Sequence, residues 1–251
     1  MIQSTLDVGV RLLTLDRPDS LNAFNTDQFE RLAELMVQAQ DESGTKVVVL
    51  TGAGRAFSAG ADLHENRPPA DQLKYGFEGF IDIVIDFPKP FVLAINGIGV
   101  GVGATLCGLA DMVFIAQNAR LRCPFSALGL TAEACSTYTF PRLMGPQAAA
   151  QFLMGAHWMD ATECKVRGLV TEVLPEEGFL TSVVAQAKTL AKLPMSSLLQ
   201  TKALLLDAHR DALKAANKRE NEALRRLRNG PAHTEAVAAF RDKREPDFSG
   251  L

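Results

Sequence analysis

The stretch Lys46-Val47-Val48-Val49-Leu50-Thr51-Gly52-Ala53-Gly54-Arg55-Ala56-Phe57-Ser58-Ala59-Gly60-Ala61-Asp62-Leu63 decides the fold class. It opens with a nearly unbroken apolar run. Such a run predicts a strand buried on both faces, because a half-buried strand would alternate. A loop of glycines and small residues follows. Two further apolar runs, 91–95 and 112–116, have the same character. Between the first two strands, Phe77, Phe80, Ile81 and Val84 recur at helical spacing within 71–87, and Pro88 and Pro90 stop the pattern. Strand, helix, strand is the order of an α/β protein. The uneven distances between the three strands fit poorly with a plain doubly wound sheet.

Toward the N-terminus, residues 2–7 and 10–15 predict a hairpin around Gly9, and Arg17-Pro18-Asp19-Ser20 a turn. Asn25 opens a helix with Gln28 in the capping-box position; Phe29, Leu32, Leu35, Met36 and Ala39 form its apolar face and Gly44 ends it. Toward the C-terminus, Gly97, Gly99, Gly101 and Gly103 run into an apolar helix at 101–110, and a short extended piece lies near 120–123. Pro146 starts a helix after Gly145. Asp160 with Glu163 caps another, which Gly168 closes, and 170–174 reads as one more strand. Beyond 177 only helices are expected, broken at Pro194 and at Gly230-Pro231. The helix 208–229 carries Arg210, Lys214, Lys218, Arg219, Arg225, Arg226 and Arg228. It reads either as a solvated face or as a partner-facing helix with a basic edge.

The 251 residues suit one sizeable domain, or one with an appended piece. Hydrophobic residues at 47% and charged residues at 22% describe an ordinary soluble chain. A net charge of −3 argues against a generally basic nucleic-acid binder. No apolar run reaches the roughly 18 residues of a membrane span, and the first residues lack the basic and apolar regions of a secretory signal. Cys107, Cys123, Cys135 and Cys164 are scattered without ligand spacing. They read as reduced, buried thiols of a cytoplasmic protein, with no metal site.

Two familiar phosphate-binding loops are absent. No Lys-Ser/Thr pair follows Gly52 or Gly54, so the first loop is not a P-loop. Gly99-Val100-Gly101-Val102-Gly103-Ala104 has dinucleotide spacing, but the next strand ends at Ala116-Gln117-Asn118 with no acid for a ribose. Taken as a pair, both loops bring small residues to strand ends. That serves either tight turns and close helix–strand packing, or two converging backbone N–H groups that hold an oxyanion.

Arg17-Pro18-x-x-Leu21-Asn22-Ala23, Ala56-Phe57-Ser58-Ala59-Gly60-Ala61-Asp62-Leu63 and Ala94-Ile95-Asn96-Gly97 occur in this order. Together they resemble the crotonase (enoyl-CoA hydratase/isomerase) superfamily. The resemblance implies an α/β spiral of ββα turns over residues 1–195 and a helical trimerisation region over 196–251, giving a homotrimer or hexamer. It implies an acyl-CoA substrate, whose CoA is part of the substrate and not a separate cofactor. It places the oxyanion donors at the N–H groups of Ala61 and Val102. CoA contacts fall to Ala23, Ala59, Gly60, Ala61, Asp62 and Leu63.

The acids narrow the reaction. Hydratases of this superfamily use two glutamates, and at the matching positions this chain has Thr105 and Phe125. Two-glutamate hydration is therefore disfavoured. The segment 124–136 instead resembles the Δ3,Δ2-enoyl-CoA isomerase branch, in which Glu133 matches the single catalytic base. One carboxylate on one face can take a proton from C2 and return it at C4. Phe125 would then be an apolar wall that raises the carboxyl pKa. Without the motif, Glu133 reads as an exposed acid in the first turn of a helix. Asp62 is expected to hold the loop by hydrogen bonds, His64 and Glu65 to sit at the surface, and His157 and Trp158 to pack. Cys135 has no histidine near it in sequence and is a weak nucleophile candidate. A hydratase, a ring-opening isomerase of the same superfamily and a non-catalytic acyl-CoA-binding protein are the alternatives.

Overall fold

A computed structural model of the chain describes residues 1–65, 68–69 and 72–251. The expected hairpin is β1 (Ile2–Asp7) and β2 (Val10–Leu15), paired antiparallel. Its turn residues Val8 and Gly9 are both left-handed, with φ of 47° and 80°, which lets a two-residue turn follow the strand twist. Helix α1 (Thr26–Asp41) has a complete capping box: Gln28 N–H donates to Asn25 Oδ1 at 3.0 Å, and Asn25 N–H to Gln28 Oε1 at 3.3 Å. The apolar run is β3 (Val47–Gly52), buried at every position.

From β3 onward each turn of the chain contributes to two sheets. After β3 come β4 (Ala56–Ser58) and α2 (Gly76–Asp86). After them follow β5 (Phe91–Ile95), β6 (Ile98–Val100) and a single turn of helix, α3 (Val102–Thr105). The third turn is β7 (Met112–Ala116) and β8 (Arg120–Arg122), then α4 (Ser136–Met144) and α5 (Pro146–Gly155). Next are β9 (Trp158–Asp160), α6 (Ala161–Val166) and β10 (Glu172–Leu174). The larger sheet has the order β1-β2-β3-β5-β7-β10 and is parallel except for β1. The smaller has the order β4-β6-β8-β9, with β9 antiparallel to β8. This is the spiral of ββα turns that the resemblance implied.

The second sheet explains the uneven spacing of the long strands. Every turn must reach β4, β6 or β8 and return, and the helix that follows varies in length. Periodicity could not show β4 and β6, because three residues hold barely more than one alternation, whereas the extended piece expected near 120–123 is β8. The helix expected at 101–110 is likewise shorter: α3 gives way to a 3₁₀ turn at Leu106–Gly108. The helix expected at 71–87 is α2, and residue 71 lies outside the described residues. The strand expected at 170–174 is shorter in the structure, where β10 takes only Glu172–Leu174.

Four helices complete the chain: α7 (Phe179–Ala191), α8 (Met195–Asp207), α9 (Arg210–Leu227) and α10 (Pro231–Asp242). Lys202 on α8 is buried, and its Nζ donates to Asp111 Oδ2 at 2.7 Å and Lys89 O at 2.8 Å. Burial pulls this ammonium below its ordinary range, and the Asp111 carboxylate opposes the shift. Helix α9 lies against α2 and α4. Arg210 and Lys214 pair with Asp86, and Arg225 with Glu78, so part of its basic edge faces acids of its own chain. All four cysteines are buried and free of disulfides, and burial pushes the Cys107 thiol up to about 12. Among the described residues no helix is long and apolar enough to cross a membrane.

Gly97 stands where the chain crosses from β5 to β6. A Cβ there would lie 2.1 Å from Arg55 O and 3.0 Å from Ala56 Cα. Both obstacles are backbone and cannot rotate aside. Gly97→Ala is expected to lower the unfolding free energy by about 3 kcal/mol or to prevent folding, as measured by urea denaturation. An unchanged midpoint would show that the crossing can open.

Candidate active site

The loop after β4 is held by a polar network centred on the first motif. Asn22 is fully buried. Its Nδ2 donates to Ala53 O and Ala56 O, both at 2.8 Å, and its Oδ1 accepts from Arg17 N–H at 2.9 Å. Ser58 Oγ donates to Asn22 O and accepts from Gly60 N–H. The Arg17 guanidinium bonds Ala23 O at 2.8 Å and Asp62 Oδ2 at 3.0 Å. Asp62 Oδ1 in turn accepts from His64 N–H. Burial works against the charge of Asp62, but the His64 N–H and the Arg17 guanidinium outweigh it and hold the carboxyl below its ordinary range.

This network points a backbone donor outward. Ala61 forms a parallel bridge to Phe24, in which Phe24 N–H donates to Gly60 O at 2.7 Å and Asp62 N–H to Phe24 O at 2.8 Å. A parallel bridge uses the neighbours' groups, so the Ala61 N–H faces the other way. It has no partner among the described residues. A second such donor lies at the start of α3. Ala104 and Thr105 N–H both bond Gly101 O, whereas the Val102 N–H, in the first turn, has no partner among the described residues.

The two donors follow two glycines that face each other. A Cβ on Gly60 would lie 2.8 Å from Val100 O, and one on Gly101 would lie 3.9 Å from Gly60 Cα. Gly101 has φ 53° and ψ −121°, a backbone geometry open to glycine. Glu133 reaches the same place. Its Oε1 lies 3.7 Å from the position a Cβ on Gly101 would take.

Glu133 is half-buried and precedes α4, so it is not an exposed acid in a helix's first turn. Its carbonyl accepts from Ser136 N–H at 3.1 Å and Ser136 Oγ at 2.6 Å. Ala134 and Cys135 between them are both left-handed, at φ 53° and 61°. The structure thus brings Gly60, Ala61, Val102 and Glu133 together. Ala23, Ala59, Asp62 and Leu63 are half-buried members of the network or its continuation. Phe125 is buried in the main apolar core. Thr105 is fully buried, with an Oγ1 that lacks a partner among the described residues.

Other residues have structural partners. Glu65 Oε1 accepts from Thr26 N–H at 2.8 Å at the start of α1, so it is half-buried instead of lying loose on the surface. His64 is exposed, 6.1 Å from the ring of Phe240. Arg120 stacks over Trp158 at 4.2 Å, and His157 meets Phe152 edge-on at 5.9 Å. Cys135 is buried, with Sγ 3.3 Å from Leu213 O. Two shallow surface hollows, one beside Pro146 and Arg167 and the other beside Asn96 and Phe179, stand apart from the Glu133 cluster. Among the described residues no three His, Cys, Asp or Glu side chains are grouped to hold a metal ion.

Fold and site together define a crotonase-type spiral with paired backbone donors and one acid. Residues 5–250 match the family described as enoyl-CoA hydratase/isomerase, and the chain belongs to that family. It is 36% identical to rat enoyl-CoA delta isomerase 2 over 88% of this chain and 58% of that protein. It is 32% identical to the Escherichia coli 1,2-epoxyphenylacetyl-CoA isomerase over 99% of this chain and 98% of that one. The chain therefore spans less than two thirds of the rat protein. Among solved structures, an enoyl-CoA hydratase/isomerase from Pseudoalteromonas atlantica T6c superposes with a TM-score of 0.94 at 30% identity, covering 99% of both chains.

The lowered Asp62 carboxyl sets the sign of a pH effect. Its stabilisation is fully present above the ordinary value and is lost as pH falls through the lowered folded value. Between about pH 5 and pH 3 the native protein is expected to lose more stability than Asp62→Asn, read from denaturation midpoints. Parallel slopes would remove Asp62 from the linkage.

Proposed function

We propose that the protein is an acyl-CoA isomerase that moves a carbon–carbon double bond from the 3 to the 2 position. The carrying observation is the convergence of Glu133 Oε1 with the loops that present the Ala61 and Val102 N–H groups. In this reading the two amides hold the thioester oxygen. Glu133 takes a proton from C2, and the electron pair spreads over a dienolate whose charge rests on that oxygen. The same carboxyl then returns the proton at C4, the C3–C4 bond becomes single, and the C2–C3 bond becomes double. No atom is gained or lost, and no separate cofactor enters the reaction.

Thr105 and Phe125 supply no second carboxylate to activate water, which favours isomerisation over hydration. The similarity to an enoyl-CoA delta isomerase supports the same choice. A ring-opening isomerisation is the second reading, favoured by the near full-length similarity to the Escherichia coli 1,2-epoxyphenylacetyl-CoA isomerase. It would use the same donors and the same acid. In both readings 59–63 and Ala23 line the CoA path. Residues 1–195 are the acyl-CoA-binding core, and 196–251 mediate assembly into a trimer or hexamer in the cytoplasm.

Glu133→Ala is expected to lower kcat on a 3-enoyl-CoA by roughly 10²–10⁴-fold. Binding of a saturated acyl-CoA, measured by calorimetry, should stay within about threefold. Retained turnover in Glu133→Ala would reject the assignment. A native protein that binds the acyl-CoA but turns over neither substrate would favour a binding role.

A further inference from the structure

The buried face of α9 includes Leu213, Ala216, Asn217, Glu220, Asn221 and Leu224. One of these residues is an acid that the proposed proton transfer does not use. Glu220 is 4% exposed. Its Oε2 accepts from Cys135 N–H at 2.7 Å, and its Oε1 accepts from Thr137 N–H at 2.9 Å and from the Thr137 hydroxyl. We infer that Glu220 is a positioning residue for Glu133: from the C-terminal helical region it holds the strained turn that carries the acid. This inference rests on the reading of Glu133 as the proton carrier.

The turn 133–136 needs external support. Its central residues, Ala134 and Cys135, are left-handed without being glycine, and such residues persist only where the surroundings over-determine them. The turn supplies part of that support itself, through Ser136 and Glu133 O. The rest comes from α9. Helix α4 has no cap of its own, since Cys135 at its N-cap makes no side-chain bond to the helix. Glu220 fills that role from across the interface, and Leu213 O meets Cys135 Sγ two turns earlier.

The donor pattern also selects the chemical form. Burial pushes the Glu220 carboxyl above its ordinary range, and the three donors on its two oxygens, which an ionised carboxylate satisfies completely, oppose that shift. An amide would keep one oxygen and aim an NH2 at the other donor. For stability alone, a buried charge is an expensive cap. Placed here, it sets the backbone two residues from Glu133. Helix α9 is separately anchored to α2, where Asn217 Nδ2 donates to Asp82 Oδ1 at 2.8 Å and Glu78 O at 3.2 Å. These side-chain bonds go to α2 and not to the turn, while the Asn217 backbone, which alanine keeps, meets the Cys135 thiol.

The test compares Glu220→Gln, Asn217→Ala and Glu133→Ala on a 3-enoyl-CoA. Glu220→Gln should lower kcat on the order of tenfold or more, as displacement of a reacting group does. Its KM should stay within about threefold. Asn217→Ala should lower the melting temperature and leave kcat within about twofold. A Glu220→Gln kcat within about twofold of native overturns the proposal. So does an equal kcat loss in Asn217→Ala, which would mean that packing of α9 is all that matters. An inactive Glu133→Ala beside an active Glu220→Gln overturns this inference alone, whereas an active Glu133→Ala overturns the reading beneath it. Should Glu220→Gln not fold, Thr137→Val removes the hydroxyl from the same carboxylate and leaves Cys135 paired. It is expected to lower kcat about threefold at unchanged KM, and an unchanged kcat overturns the proposal.

Discussion

Two loops from successive turns of the spiral meet at Gly60 and Gly101, and the site depends on how closely their backbones approach. A side chain on Gly60 would collide with Val100 O, and the dihedral angles of Gly101 exclude most other residues. At that contact each chain path leaves its next N–H without a partner among the described residues. One is left so because a parallel bridge turns it away from its neighbour, the other because it opens a helix. The donors need no side chain of their own. Their direction is a consequence of the Phe24–Ala61 bridge and of where α3 begins.

Such an approach of polar backbone has to be held by polar side chains. Asn22 does most of this for the first loop, since its amide satisfies two carbonyls and an N–H in the interior. Arg17 and Asp62 close the outer side. The third turn carries Glu133 on a left-handed corner that its own residues disfavour, and the compensating bonds come from elsewhere in the chain. Strain at a site and supporting bonds outside it are two parts of one arrangement.

The C-terminal helices belong to that arrangement. Lys202 on α8 reaches Asp111, whose Oδ2 also accepts from Phe91 N–H at the start of β5. Glu220 on α9 reaches the turn beside Glu133. Both are buried ionisable groups directed into the spiral: Lys202 ties α8 to Lys89 and Asp111, and Glu220 ties α9 to the turn beside Glu133. The charged look of 208–229 conceals this, because the outward arginines and lysines outnumber the few inward polar residues.

The sequence by itself determined the elements whose signals are local: the hairpin, the Asn25–Gln28 cap, the long apolar strands, and the helix breaks at Pro194 and Gly230-Pro231. These depend on backbone preference and on the period of burial, which neighbouring residues settle among themselves. Residues quoted for their motif, from Asn22 to Ala61 and Glu133, were legible only through resemblance to a family. Tertiary structure alone decided the short strands β4, β6 and β9, the shortening of the helix after Gly101, the meeting of Gly60 with Gly101, and the bond from Glu220 to Cys135. Each depends on pairing across tens of residues, where a strand too short to show a pattern is fixed by its partner. A glutamate in a charged helix likewise becomes a cap only when the fold brings an uncapped helix to it.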